Sequence, residues 1–223
     1  MVYAGRTGKR DLTLGVSGRL MKRNLVMWDP ETNSLWSQIT GKAIHGELEG
    51  KALGMLPAVF VSLGTWKRMH PETVVLDMSP VRRKAWHYTA RNLATAKNER
   101  DRPLGIGVRH KDGTLLVTLE HLHKARVVQA TVASQPLVFV WVKKHSAPLV
   151  YRAPAGSKKL KLAWRSGKIA VPGGRPQWDP LTGRPVSGTT KEVLERFPYI
   201  PTTLKAWRTY YPKGKTLGRV SDS

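Results

Sequence analysis

The phrase "SLWSQITGKAIHG" (34–46) returns as "PQWDPLTGRPVSG" (176–188), and a chain that carries one phrase twice has to fold it twice. Trp36 pairs with Trp178, Thr40 with Thr182, Gly41 with Gly183, Lys42 with Arg184, Ile44 with Val186 and Gly46 with Gly188, every pair 142 residues apart. Further on the spacing is 141: Leu56-Pro57 answers Phe197-Pro198, and "WKRMHP" (66–71) answers "WRTYYP" (207–212). Upstream, "MVYAGRTGKRDLTL" (1–14) answers "LVYRAPAGSKKLKL" (149–162) at a spacing of 148. Three segments kept in order predict an internal duplication that folds as two related β-rich lobes.

The boundaries follow from the repeat. The first unit covers 1–76, a basic linker with some helical character covers 77–103, the second unit covers 104–218, and 219–223 is a tail. The second unit carries residues 104–148 ahead of its "LVY", and no residue ahead of Met1 answers them. The expectation is a first unit incomplete at its N-terminus, through a shifted start, a fragment or evolutionary trimming. A lobe short of strands would expose sheet edges and apolar surface, which predicts self-association through those edges.

Local signals give a mainly β chain with short helices, an α+β class. "LGIGVRHKDGTLLVTL" (104–119) is two apolar runs around Lys-Asp-Gly, a hairpin signal. "RVVQATVASQPLVFVWV" (126–142) has the same form around Ala-Ser-Gln-Pro. "LVMWDPETNSLWSQI" (25–39) places two strands around a turn-rich insert. "LPAVFVSLG" (56–64) and "PLVFVWV" (136–142) are strand-length, far short of the ~20 residues that span a bilayer. Helix is predicted at "GTWKRMH" (64–70), "LEHLHKA" (119–125) and "TTLKAWRTYY" (202–211), the first and last halted by Pro71 and Pro212. A further helical stretch falls on "AWHYTARNLATAKNERD" (85–101).

Charge is the second constraint. Lys and Arg number 38 against 15 Asp and Glu, a net +23. Such a chain attracts polyanions, nucleic acid among them. The basic residues are scattered, with short runs only at "RRK" (82–84) and "KKLK" (158–161), and no zinc-finger or aromatic-basic RNA-binding signature accompanies them. The chain has no cysteine, which excludes disulfides, thiolate metal sites and cysteine nucleophiles within it.

Trp36, Trp66, Trp178 and Trp207 recur at equivalent places, which favours core anchors over a stacking platform for bases or sugars. Thr40-Gly41 and Thr182-Gly183 read as turns in which glycine supplies a positive φ. His121 and His123 would share a face on a strand, and with His145 as third ligand they are the candidates for a metal. No cofactor is expected. Asp29, Glu31, Asp179 and Glu195 form no recurring acid–base pair. "GRTGKR" (5–10) lacks the spacing and Ser/Thr of a P-loop, and "GVSG" (15–18) is not the Gly-x-Ser-x-Gly elbow.

With those residues in place, "LTLGVSGRLMKRNLVMWDPETNSLWSQITGKAIHGELEGKAL" (12–53), "TWKRMHPETVVL" (65–76) and "WDPLTGRPVSG" (178–188) closely resemble the bacterial and archaeal domain-of-unknown-function family 3179. The resemblance implies the same duplicated build, with Trp36, Thr40, Gly41, Trp66, Pro71, Trp178, Thr182, Gly183, Trp207 and Pro212 as signature residues of structural role. It also implies Trp-His-Glu, Asn-Asp-Thr-Val and Cys-Pro-Leu-Cys-Gly phrases that would fall before Met1. "KAR" (124–126), "QATV" (129–132) and "VKKHSA" (142–147) stand at the corresponding places of the second unit. The expected function is a non-catalytic binding or scaffold module. The alternatives are a basic protein that binds a polyanion, or a metal- or redox-dependent activity in the upstream half. The compartment is cytoplasmic for the chain as written and export for one with a leader upstream.

Overall fold

Glycine and turn residues every few positions leave room only for short strands. The computed structural model, which describes residues 1–76, 104–153 and 161–218, holds nineteen strands and three α-helices among those residues. The linker expectation for 77–103 and the tail at 219–223 lie outside the described residues.

The N-terminal strand β1 (Val2–Tyr3) pairs with β8 (Met55–Leu56), and β2 (Arg6–Thr7) makes a small hairpin with β3 (Arg10–Asp11). Next comes an antiparallel meander of β4 (Gly15–Met21), β5 (Asn24–Asp29), β6 (Ser34–Ser37) and β7 (Ala43–His45). Lys22 and Arg23 turn the chain between β4 and β5 with φ of 46° and 65°, the left-handed geometry of a two-residue hairpin turn. A second meander of the same order follows later: β14 (Ala163–Arg165), β15 (Lys168–Ala170), β16 (Gln177–Trp178) and β17 (Pro185–Ser187). Its first turn is Ser166-Gly167, with φ of 46° and 80°.

Between the meanders lie two packed sheets. One has the order β18 (Ile200–Thr203), β9 (Leu104–His110), β10 (Gly113–Thr118), β19 (Lys215–Leu217), with β10 and β19 parallel. The other is β11 (Val127–Val132), β12 (Gln135–Val142), β13 (Ala147–Arg152). Ile106, Val108, Leu115 and Val117 of the first face Val128, Leu137, Phe139 and Val150 of the second, and Leu122 of α2 (Leu119–Ala125) closes that core. Strand β12 shows why it reads "PLVFVWV" with no polar residue. Leu137 and Phe139 enter this core, while Val138, Val140 and Val142 enter another on the opposite face with Leu149, Tyr151, Ile169 and Trp178. A strand buried on both sides cannot alternate.

The hairpin turns fall where the sequence puts them, at Lys111-Asp112 and at Ala133-Ser134. Helix α2 covers 119–125 as read, α1 spans Leu63–Met69 and α3 spans Leu204–Tyr210. The run 56–64 is not a strand. Past Leu56 the chain is irregular until α1, because Pro57 breaks the pairing and Ser62 caps the helix, its Oγ accepting from the Thr65 N–H at 3.2 Å.

Each half of the chain reaches onto the other. Val59, Val61 and Met69, around α1, pack on the core beneath the second meander. In the other direction, α3 and the residue after it reach the first meander: Tyr210 donates to the Met21 carbonyl at 2.5 Å and Tyr211 to that of Ile39 at 3.4 Å. Arg109 Nη1 adds a hydrogen bond to the Thr40 carbonyl. No helix among the described residues is long and apolar enough to cross a membrane.

Candidate functional site

The signature residues form two matching sets. Trp36 and Trp178 are buried under their meanders, at 0% and 2% exposure. Gly41 and Gly183 carry φ of 63° and 73°, and a Cβ on either would strike a tyrosine ring, Tyr3 at 2.6 Å or Tyr151 at 3.0 Å. Each tyrosine donates to a carbonyl just after the tryptophan: Tyr3 to Gln38 at 2.6 Å, Tyr151 to Pro180 at 3.0 Å. Thr40 and Thr182 each accept from the backbone two residues on, both at 3.3 Å. Pro71 and Pro212 follow the helix-ending His70 and Tyr211, whose N–H groups bond the carbonyls of Trp66 and Trp207 at 2.8 Å each. Trp207 is buried, whereas Trp66 remains 36% exposed, so three of the four recurring tryptophans are core residues and Trp66 is not.

The histidine candidates do not meet. His121 and His123 lie on α2 and not on a strand, so their ring directions diverge. His123 stacks on Trp141 at 4.1 Å. No group of three His, Cys, Asp or Glu suited to a metal occurs among the described residues.

His145 leads to a different site. It ends the 3-10 turn Lys143–His145 after β12, and its Nδ1 lies 3.0 Å from Thr65 Oγ1. That hydroxyl already accepts from Ser62 Oγ at 3.0 Å and Arg68 Nη2 at 3.2 Å. Its own proton therefore goes to Nδ1, which assigns His145 the tautomer with hydrogen on Nε2. Burial, with Arg68 and Lys144 nearby, holds the imidazole pKa below its usual value.

Facing this turn is the floor of the second meander. Asp179 Oδ1 accepts from the N–H of Leu181 at 3.0 Å, and from the N–H and hydroxyl of Thr182 at 2.8 and 3.0 Å. Its Oδ2 lies 3.6 Å from Lys168 Nζ. Burial alone would raise the Asp179 carboxyl; the hydrogen bonds from Thr182 and Leu181 and the Lys168 charge outweigh it and keep the pKa low. The cavity between floor and turn is about 880 Å³, and Lys143, Lys144, His145, Trp164, Lys168 and Asp179 line it.

A counterpart cleft of about 720 Å³ sits against the first meander, where Lys22, Arg23, Gln38 and Ile39 face Thr203, Lys205 and Thr209. Gln38 and Ile39 stand 142 residues before Pro180 and Leu181, which line the larger cavity. Sequence reasoning singled out His145 only as a candidate third ligand beside His121 and His123. The lysines gave no signal because the cavity gathers them from separate turns.

These matched sets carry the pattern that the sequence resembles, and the chain matches the family described as proteins of unknown function, DUF3179, over residues 1–214. The chain belongs to that family. No curated protein and no solved structure matches it. Within this DUF3179 protein, then, the site has to be judged on its own chemistry. Lys143, Lys144 and the His145 ring N–H, beside a carboxylate already compensated by Lys168, suit an anion better than a cation.

Proposed function

We propose that this DUF3179 chain is a binding module, not a catalyst, and that it takes an anionic ligand in the cleft between the Lys143–His145 turn and the second meander. The observation that carries this is the convergence of Lys143, Lys144, Lys168 and His145 on one cavity of about 880 Å³. Trp164 supplies an apolar wall, and the Asp179 carboxylate is held by its own loop and by Lys168. The family supplies no reaction to set against this reading.

The test is calorimetric titration of the full chain with inorganic pyrophosphate at low salt. Saturable binding is expected, weakened about tenfold when Lys168 or Lys144 becomes alanine, as for loss of one charge-assisted contact. An anion beside His145 favours the charged ring, so affinity for sulfate, whose own charge does not change in this range, should rise as the pH falls below the ordinary imidazole value of 6.5. Binding unchanged by both lysine substitutions and flat with pH would overturn the reading.

A second reading rests on the net charge of +23, which suits a polyanion spread over the surface. Binding to duplex DNA would then fall with salt at a log–log slope of about −0.9 per phosphate neutralised. That slope would persist when the cleft lysines are removed, which separates the two readings.

We also read the two meanders as copies of one unit. The shared strand order, the Trp–Tyr–Gly sets and the 142-residue spacing support it.

A further inference from the structure

The cavity between the Lys143–His145 turn and the second meander is larger than a bare anion needs. Its volume of about 880 Å³ falls among clefts of roughly 300–1,000 Å³ that enclose an organic ligand. The charge it offers is gathered in one place, because Lys143, Lys144 and His145 are consecutive residues of a single 3-10 turn. The rest of the lining is mostly carbon, from Val142, Trp164, Pro180 and Leu181. Its polar groups there are already engaged: Lys168 faces Asp179 at 3.6 Å, and the Thr182 hydroxyl donates to Asp179 at 3.0 Å. The site is therefore two-sided, with a cationic wall and an apolar one.

Trp164 is the one indole in the apolar wall. It stands on β14 opposite Ile169 of β15, one pair in from the Ser166-Gly167 turn. It packs on the core beneath the meander and stays half-buried, so it is held from behind and reaches the cavity. At the matching pair of the first meander stand Leu20 and Leu25, and neither lines the counterpart cleft. A meander of this form does not need a ring there, which sets Trp164 apart from Trp36 and Trp178. Gly167 also lines the cavity, and a Cβ on it would meet nothing within 4 Å, so the rim at this turn is open.

We propose that the ligand of this cleft is an anion borne on a flat aromatic ring, with its charged group against Lys143, Lys144 and the His145 ring N–H and its ring on Trp164. The proposal rests on the anion reading above and names the class of ligand. An indole stacks on any planar ring, since every such ring has a π-face, and the contact also removes apolar surface from water. A small inorganic anion would use the turn and leave the carbon wall wet.

The test sets naphthyl phosphate against methyl phosphate in calorimetric titrations of the full chain. At about pH 8, above the second phosphate pKa of about 6, both monoesters carry the same charge. The naphthyl ester should bind at least about tenfold more tightly, as for one stacked ring. Trp164→Leu keeps apolar bulk on the core and should abolish that preference while leaving methyl phosphate unchanged. Trp164→Phe, the milder change, should lower the preference and again leave methyl phosphate unchanged; circular dichroism checks that both fold. Lys144→Ala should weaken both esters alike, and Trp66→Ala, at an exposed indole outside the cleft, should affect neither. Equal binding of the two esters, a preference that survives both Trp164 substitutions or is lost with Trp66→Ala, or a Trp164 effect that falls on both esters alike would overturn this inference and leave the anion reading standing. Failure of pyrophosphate and both esters to bind would overturn the two together.

Discussion

Asp29 is a carboxylate with no exposure to solvent, and it survives there because three donors surround it. The Thr32 N–H and hydroxyl bond one oxygen at 2.7 Å each, and the Trp36 indole N–H bonds the other at 2.6 Å. Replacing it by alanine leaves a buried indole N–H and a buried amide without partners. We expect Asp29→Ala to cost about 3 kcal/mol in urea unfolding, the sum of two such penalties. Gly107 poses the opposite problem, too little room. Gly107→Ala drives a methyl into Trp207 and should cost about 2–3 kcal/mol in the same assay. Burial pushes the phenols of Tyr3, Tyr151 and Tyr199 up to about 12. The folded value lies above the unfolded 10.0, so this contribution to stability is complete below pH 10 and is lost as pH climbs towards 12. A titration of phenolate absorbance should show these three ionising together with base unfolding.

At the scale of the element, the two meanders invite a paired measurement. Tyr3→Phe and Tyr151→Phe each remove one hydroxyl-to-carbonyl bond at the matching place. Each should cost about 1 kcal/mol, and the two should add, since they stand in different halves. Unequal costs would mean that the two meanders, alike in strand order, differ in energy. Much of this level was legible beforehand. Lys-Asp-Gly fixed the β9–β10 turn, and the "LEHLHKA" phrase matched α2 residue for residue. The run 56–64 is strand-length, yet apolarity alone does not separate a strand from an irregular segment that packs Val59 and Val61 on a distant core. Trp66 was misread for the complementary reason. Its sequence surroundings match those of Trp207, and the β9–β10 hairpin whose Gly107 seals Trp207 has no counterpart over Trp66 among the described residues. The cleft was the least legible part. Residues 143–145, 164–168 and 179 become neighbours only through tertiary packing, and each alone is an ordinary polar turn.

Over the whole molecule, the contacts that cross between the halves, Val59, Val61 and Met69 one way and Tyr210 and Tyr211 the other, make them interdependent. The first half has a small core of its own, Leu12, Trp36, Ala43 and Leu53, with Tyr3, Leu14, Met27 and Leu48 around it. A fragment of residues 1–76 should therefore be unfolded by circular dichroism. A fragment of residues 104–223 keeps the larger core and should fold, with a lower midpoint in urea because Val59, Val61 and Met69 no longer cover it. Mixing the two should restore structure to the first. An independently folded first fragment would contradict this account of the packing. The same crossing contacts set a schedule for synthesis. The first meander leaves the ribosome early, but Tyr210 and Tyr211, which tie it down, are made near the end. At about 5–20 residues per second that is a delay of roughly ten to thirty seconds. Through that interval the nascent first half lacks its clasp and stays unfolded, so it matures only once Tyr210 and Tyr211 have been made, and it depends meanwhile on whatever keeps an unfinished, strongly cationic polypeptide from adhering to the RNA around it.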